Sequence, residues 1–224
     1  MHDAAAAHSS GLAHHFEDIE QQHEAGNLGM WVFLVTEIMF FGGLFAGYAI
    51  YRAEYLPAFE AGSRLLDIQL GATNTAVLIG SSLTMALAVH AAQTGKRNAL
   101  VFFLLLTMVL GATFLGIKYV EYAHKWEHHL VPGLRFAPDE MLKPGTSLPN
   151  VQLYFCFYFF MTGLHALHMI IGMGIMAVLT RMAWKGRFHS GYYAPVEVSG
   201  LYWHFVDIVW IFLFPLLYLI GGRY

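Results

Sequence analysis

"LGMWVFLVTEIMFFGGLFAGYAIY", Leu28 to Tyr51, carries one charged side chain, Glu37, in 24 positions. At 1.5 Å of rise per residue a helix of that length crosses the roughly 30 Å of hydrocarbon in a bilayer. A helix also satisfies every backbone N–H and C=O inside its own segment, which hydrocarbon requires because it holds no water. Four more runs meet the same criterion, at about 72 to 92, 98 to 121, 151 to 180 and 199 to 221. The expected fold is therefore all-α, an integral membrane bundle of five transmembrane helices. An odd number of spans places the two termini on opposite sides.

Composition agrees. Hydrophobic residues make up 57% of the 224 and charged ones 12%, against about 45–50% and 25% in a soluble domain. The formal net charge of -3 supplies no basic field for a phosphate backbone, so nucleic acid is excluded as a partner. A single cysteine, Cys156, rules out an intramolecular disulfide, a CxxC metal site and covalent haem attachment through CxxCH.

Residues 1–27 hold Asp3, Glu17, Asp18, Glu20 and Glu24 and no Lys or Arg, the reverse of a signal peptide's charged start. They are expected to be a retained polar cytoplasmic tail, with "HHFEDIEQQHEAG" (14–26) forming a short polar helix, and residues 28–224 to be the membrane domain. Lys96 and Arg97 mark the second connection and Arg181, Lys185 and Arg187 the fourth. By the positive-inside rule these face the cytoplasm, with the amino terminus inside and the carboxy terminus in the periplasm; Arg52, Arg64, Lys125, Arg135 and Lys143 on the other side keep the asymmetry shallow. "EHHLVPGLRFAPDEMLKPGTSLPN" (127–150), with four prolines, is the one long connection, and it reads as an external loop. Gly43 and Gly47 form a GxxxG pair, with more small residues at Gly80, Ser81, Gly111, Gly116, Gly163, Gly172 and Gly174, the pattern of closely packed helices.

Five polar side chains fall inside spans: Glu37, His165, His168, His204 and Asp207. A bare carboxylate at the depth of Glu37 costs at least about 2.5 kcal/mol. The expectation is a neutral acid, or one hydrogen-bonded to a histidine or water inside the bundle. His165 with His168, and His204 with Asp207, stand three residues apart and so share helix faces. If the two helices are neighbours, a polar seam results in which Asp207 accepts an imidazole N–H and the second ring nitrogen addresses a lipid headgroup, water or Glu37. Haem ligation is the competing use of such histidines. Two haems need four histidines at matched depths, and His165 and His168 sit too close on one helix even if His90 joins them. Hence no metal is expected. His14, His15, His124, His128 and His129 read as solvated surface. Lys118, Glu121 and Arg181 are placed at span ends, where long side chains reach the interface or lipid phosphate, and Trp203 and Trp210 suit an interfacial belt.

Three strings are specific enough to name a family: "TEIMFFGGLF" (36–45), "FMTGLHALHMIIG" (160–172) and "YWHFVDIVWIFLFPLLY" (202–218), with "TNTAVLIGSS" (73–82) and "KYVEY" (118–122) fitting between them. The chain resembles subunit III of the haem-copper oxidases, in its five-helix bacterial form without the two amino-terminal helices of the longer pattern. That resemblance implies a non-redox subunit of a cytochrome c or quinol oxidase, with haem and copper held by partner subunits and no catalytic residue of its own. It implies packing against catalytic subunit I and subunit II, with subunit IV or a respiratory supercomplex as further partners, in the bacterial inner membrane. It also implies bound phospholipid, a cleft that guides oxygen, and support of proton uptake. By motif Glu37 matches the family's buried acid, His165, His168, His204 and Asp207 its buried polar positions, and Arg181 its lipid-binding cation. Two other readings are an accessory protein of nitric oxide reductase and a haem-binding electron carrier. A small transporter with Glu37 as proton relay lacks the broken helices and repeats of that class.

Overall fold

The computed structural model describes residues 16–133, 136–138 and 147–220. His14, His15, Arg135 and Lys143 lie outside them. Five helices are long and apolar enough to span a membrane: α1 (Ile19–Glu54), α3 (Ile68–Gln93), α4 (Arg97–Glu127), α5 (Leu148–Trp184) and α6 (Ala194–Phe214), with a short α2 (Leu56–Arg64) between the first two. Helices α1 and α3 begin before their apolar runs, where polar caps set the limit. Asp18 accepts Gln21 N–H at 2.7 Å, and Asp67 accepts Gln69 N–H at 2.8 Å and Leu70 N–H at 3.2 Å, satisfying first-turn donors. The polar helix foreseen up to Gly26 and the first span are thus one helix of 36 residues, and no break falls between residues 27 and 28.

At the other ends, Gly95 (φ 67°) and Gly186 (φ 71°) take the left-handed conformation. Lys96 N–H then bonds back to Ala91 O at 2.9 Å and Arg187 N–H to Met182 O at 3.1 Å, closing α3 and α5 in Schellman motifs. The sequence reading missed α2. Its nine residues begin at a proline-containing turn and bury Ala58, Phe59, Gly62 and Ser63, too few positions to show a helical period.

Helix α6 is the hub, packed against α1, α3 and α5, while α4 lies along α3 and α5. Trp203, buried on α6, occupies a slot between Gly111 of α4 and Gly172 of α5; a Cβ on either would come within 3.0 Å of the indole. Its Nε1 donates to Ser81 Oγ at 3.1 Å, and Trp210 Nε1 donates to Thr75 Oγ1 at 3.0 Å. With exposures of 1% and 0%, neither tryptophan belongs to an interfacial belt. That expectation is corrected: each indole N–H finds a hydroxyl inside the bundle, which removes its reason to sit at the headgroups. Gly43 of the GxxxG pair faces open space, as do Gly116 and Gly174. Close approach instead falls at Gly62, Gly71, Gly111, Gly172 and Gly200, whose added Cβ would meet a side chain at 3.0 Å or less.

The attachment of α1 is narrow. Leu34, Phe41 and Tyr48, seven residues apart, are buried, whereas Trp31, Val32, Val35, Ile38 and Met39 point outward. A second attachment comes at the end of α6, where Pro215–Leu219 forms a π-helical turn. Its carbonyls and that of the following Ile220 accept side-chain donors from three other helices: Tyr48 OH to Leu216 O at 3.0 Å, Ser63 Oγ and Tyr154 OH to Leu217 O at 2.8 and 2.9 Å, and Arg52 Nη2 to Ile220 O at 2.8 Å.

A Cβ at position 62 would lie 2.4 Å from the ring of Tyr154, and one at position 174 would meet nothing within 4 Å. Gly62→Ala is therefore expected to cost about 1–3 kcal/mol by overpacking, read as a lowered thermal midpoint of the detergent-solubilised protein. Gly174→Ala is expected to leave it unchanged.

Candidate functional site

Among the described residues two clusters join ionisable side chains in the interior, and the first holds Glu37. His168 Nε2 lies 3.2 Å from Glu37 Oε2, across the α1–α5 contact. His168 Nδ1 lies 2.8 Å from Leu164 O. A carbonyl only accepts, so Nδ1 carries a hydrogen and donates it there. One further proton is then shared between Nε2 and the carboxyl: either the acid donates to a neutral imidazole or an imidazolium donates to a carboxylate. In both cases the pair is neutral as a unit, which is how a carboxyl is tolerated beside hydrocarbon. The pair is partly open, with side-chain exposures of 14% for His168 and 19% for Glu37. Phe41 edges the imidazole at 5.5 Å between ring centroids, and Tyr202 OH donates to His168 O at 2.9 Å.

The remaining candidates do not join this pair, so the single seam foreseen from their spacing is corrected. His165 turns the other way, its ring 5.4 Å from that of Phe114 and 5.2 Å from that of Trp210, and neither ring nitrogen has a hydrogen-bond partner among the described residues. Three residues on a helix advance by 300°, and at the bundle centre that 60° difference separates two interfaces. His204 Nδ1 pairs with Ser82 Oγ of α3 at 2.7 Å. Asp207 is buried and accepts no imidazole N–H; Ser82 neighbours it, yet neither carboxyl oxygen has a partner in hydrogen-bond geometry. Among the described residues no three His, Cys, Asp or Glu side chains converge as metal ligands.

The second cluster went unrecognised in the sequence. Lys118 Nζ lies 2.8 Å from Glu121 Oε2 and 2.6 Å from Tyr218 OH, while Tyr218 OH donates to Glu121 Oε1 at 2.7 Å. The ammonium also sits 4.5 Å from the Trp210 ring centroid, a cation–π contact. With exposures of 4% and 1%, Lys118 and Glu121 are not interfacial anchors. Buried at that depth, each serves as the other's counter-ion. Opposite charges three apart in "KYVEY" were the available signal. Arg181 does reach the surface. It borders a groove of about 410 Å³ between α4 and α5, lined also by Leu105, Met108, Ala177, Trp184 and Lys185.

The family model described as Cytochrome c oxidase subunit III matches residues 8–126 and 149–222. The chain belongs to that family. Similar proteins include a probable quinol oxidase subunit 3 of Staphylococcus haemolyticus, 29% identical over 95% of this chain and 99% of that protein. The cytochrome bo(3) ubiquinol oxidase subunit 3 of Pseudomonas aeruginosa is 29% identical over 97% and 95%. A probable quinol oxidase subunit 3 of Staphylococcus saprophyticus is likewise 29% identical, over 94% and 98%. The matched residues take in Glu37, Lys118, Glu121, His165, His168, His204, Asp207 and Tyr218. As a subunit III family member, the chain is a membrane protein of the terminal oxidases, and both polar clusters lie within the matched region.

Removing one member of a buried ion pair strands the other. In this subunit III chain Lys118→Met is expected to lower stability by about 3–5 kcal/mol. Lys118→Met combined with Glu121→Leu is expected to recover most of that loss, a pattern that thermal unfolding of both variants in detergent would check.

Proposed function

We propose that this chain is the non-redox subunit III of a proton-pumping terminal oxidase in the inner membrane of a bacterium, with its amino terminus cytoplasmic and its carboxy terminus periplasmic. It supports the catalytic subunit that reduces oxygen to water and takes no electron itself; haem and copper belong to partner subunits I and II. The match to subunit III along both sides of the 127–148 loop carries this reading, and the curated relatives named as quinol oxidase subunits favour a quinol-fed complex. Nitric oxide reductase and electron-carrier readings have no such support.

Phospholipid binding rests on chemistry at two places. The groove beside Arg181 joins an apolar floor to two cations, Arg181 and Lys185, the combination that suits an acyl chain and a phosphate. The outward face of α1, with Trp31, Val35 and Met39 exposed, is apolar surface for lipid or a partner subunit. The Glu37–His168 pair offers a proton held at the bundle's edge. Its proposed role is to steady the α1 attachment and to aid proton uptake nearby.

Tagging the chain and purifying in mild detergent tests the assignment: a large subunit carrying haem and copper is expected to come with it, and recovery of the chain alone would refute it. Glu37→Gln tests the pair. Its amide N–H still donates to His168 Nε2 but shares no proton, so assembly is expected to survive while proton uptake falls and the complex inactivates sooner in turnover. Glu37→Ala, which strands the imidazole, is expected to cost about 1–3 kcal/mol of stability as well.

A further inference from the structure

Asp207 is an ionisable group that neither cluster absorbs. It stands at the middle of the 194–219 span, 3% exposed, with both carboxyl oxygens unpartnered. A bare carboxylate at that depth is strongly disfavoured, so the group holds a proton. Among the other ionisable side chains that α1, α4 and α5 carry into the bundle, Glu37 lies with His168, Lys118 with Glu121, Lys125 donates to Leu65 O at 2.9 Å, and His165 packs against Phe114 and Trp210. What does lie beside Asp207 is the Ser82 hydroxyl, and Ser82 Oγ is 2.7 Å from His204 Nδ1. His204 is half-buried. It shares a face of α6 with Ile208 and Ile211, at the helical spacing of four and seven residues, and both of those are exposed.

We propose that His204, Ser82 and Asp207 form an internal proton-exchange site, through which the buried acid is loaded and unloaded from the outer face of α6. The step is balanced within the three groups. An imidazolium gives its Nδ1 proton to Ser82 Oγ as the Ser82 hydroxyl proton passes to a carboxylate oxygen of Asp207. The N–H and the original O–H bonds break, a new O–H forms on serine and another on the acid, and the two opposite charges disappear together. Ser82 is the positioning residue, since a hydroxyl both accepts and donates. This inference rests on the bundle's own geometry and not on the oxidase reading, and it would stand in any membrane complex that holds the chain.

Infrared spectroscopy of the purified complex tests it, with Asp207→Asn assigning the protonated carboxyl band; should that variant fail to assemble, Asp207→Glu assigns it by displacement. In heavy water the band is expected to shift as the acid exchanges its proton. Ser82→Ala is expected to slow that exchange by about a hundredfold, the scale of a positioned proton donor. Ser82→Thr is expected to restore it, and His204→Phe to slow it as Ser82→Ala does. A merely structural role would leave the exchange rate alone. Loss of no protonated-carboxyl band on substitution, absence of exchange in the unmodified protein, or equal rates in Ser82→Ala and the unmodified protein would each overturn the proposal.

Discussion

Hydrocarbon offers no hydrogen bond, so each carbonyl that leaves a helix ladder inside the membrane must find a donor from the protein. In this chain that constraint acts hardest at Pro215–Leu219. Proline has no N–H and interrupts the α-helical pattern, and the π-helical turn that follows turns carbonyls outward to neighbours. Tyr48, Arg52, Ser63 and Tyr154 supply the donors. A local irregularity in one helix thereby becomes the point at which α1, α2 and α5 are tied to α6. Tyr218, from the same turn, reaches the Lys118–Glu121 pair and adds α4. The narrow apolar seam of α1 through Leu34, Phe41 and Tyr48 would be a weak attachment by itself, because lipid tails are as apolar as the partner helix.

The same cost governs the charged groups. Lys118 and Glu121 remain buried because each is the other's counter-ion and Tyr218 bridges them. Glu37 and His168 remain at the bundle edge because one shared proton makes the pair neutral. These are two solutions to one problem, and they differ in consequence. The ion pair is buried against the rings of Trp210, Tyr158 and Tyr218 and suits a structural tie, whereas the acid–imidazole pair is partly exposed. For a subunit III family member, that contrast separates a tie buried inside the bundle from a polar pair open at its edge.

How far the residues could be read in advance varied with the range of the interaction. The five spans were legible because hydrophobic length is a local property. Glu37 and His168 were legible as expensive residues, and their meeting was one of the options their chemistry allowed. The burial of Trp203 was not legible: it depends on Gly111 and Gly172, 92 and 31 positions away, leaving room on two other helices. GxxxG at Gly43 and Gly47 suggested close approach where Gly43 has none, since the motif states that a backbone can be approached and not that anything approaches it.

By itself, then, the sequence determined a five-helix membrane bundle and the set of polar side chains that had to be neutralised. Those follow from hydrogen-bond supply and demand within a few residues. Only the tertiary structure decided which groups neutralise which: His168 and not His165 for Glu37, Glu121 for Lys118, Ser82 for His204. The physical reason is angular. Residues three apart on a helix differ by about 60° in direction, a difference too small to read from spacing and large enough, at the centre of a bundle, to send two side chains to different partners.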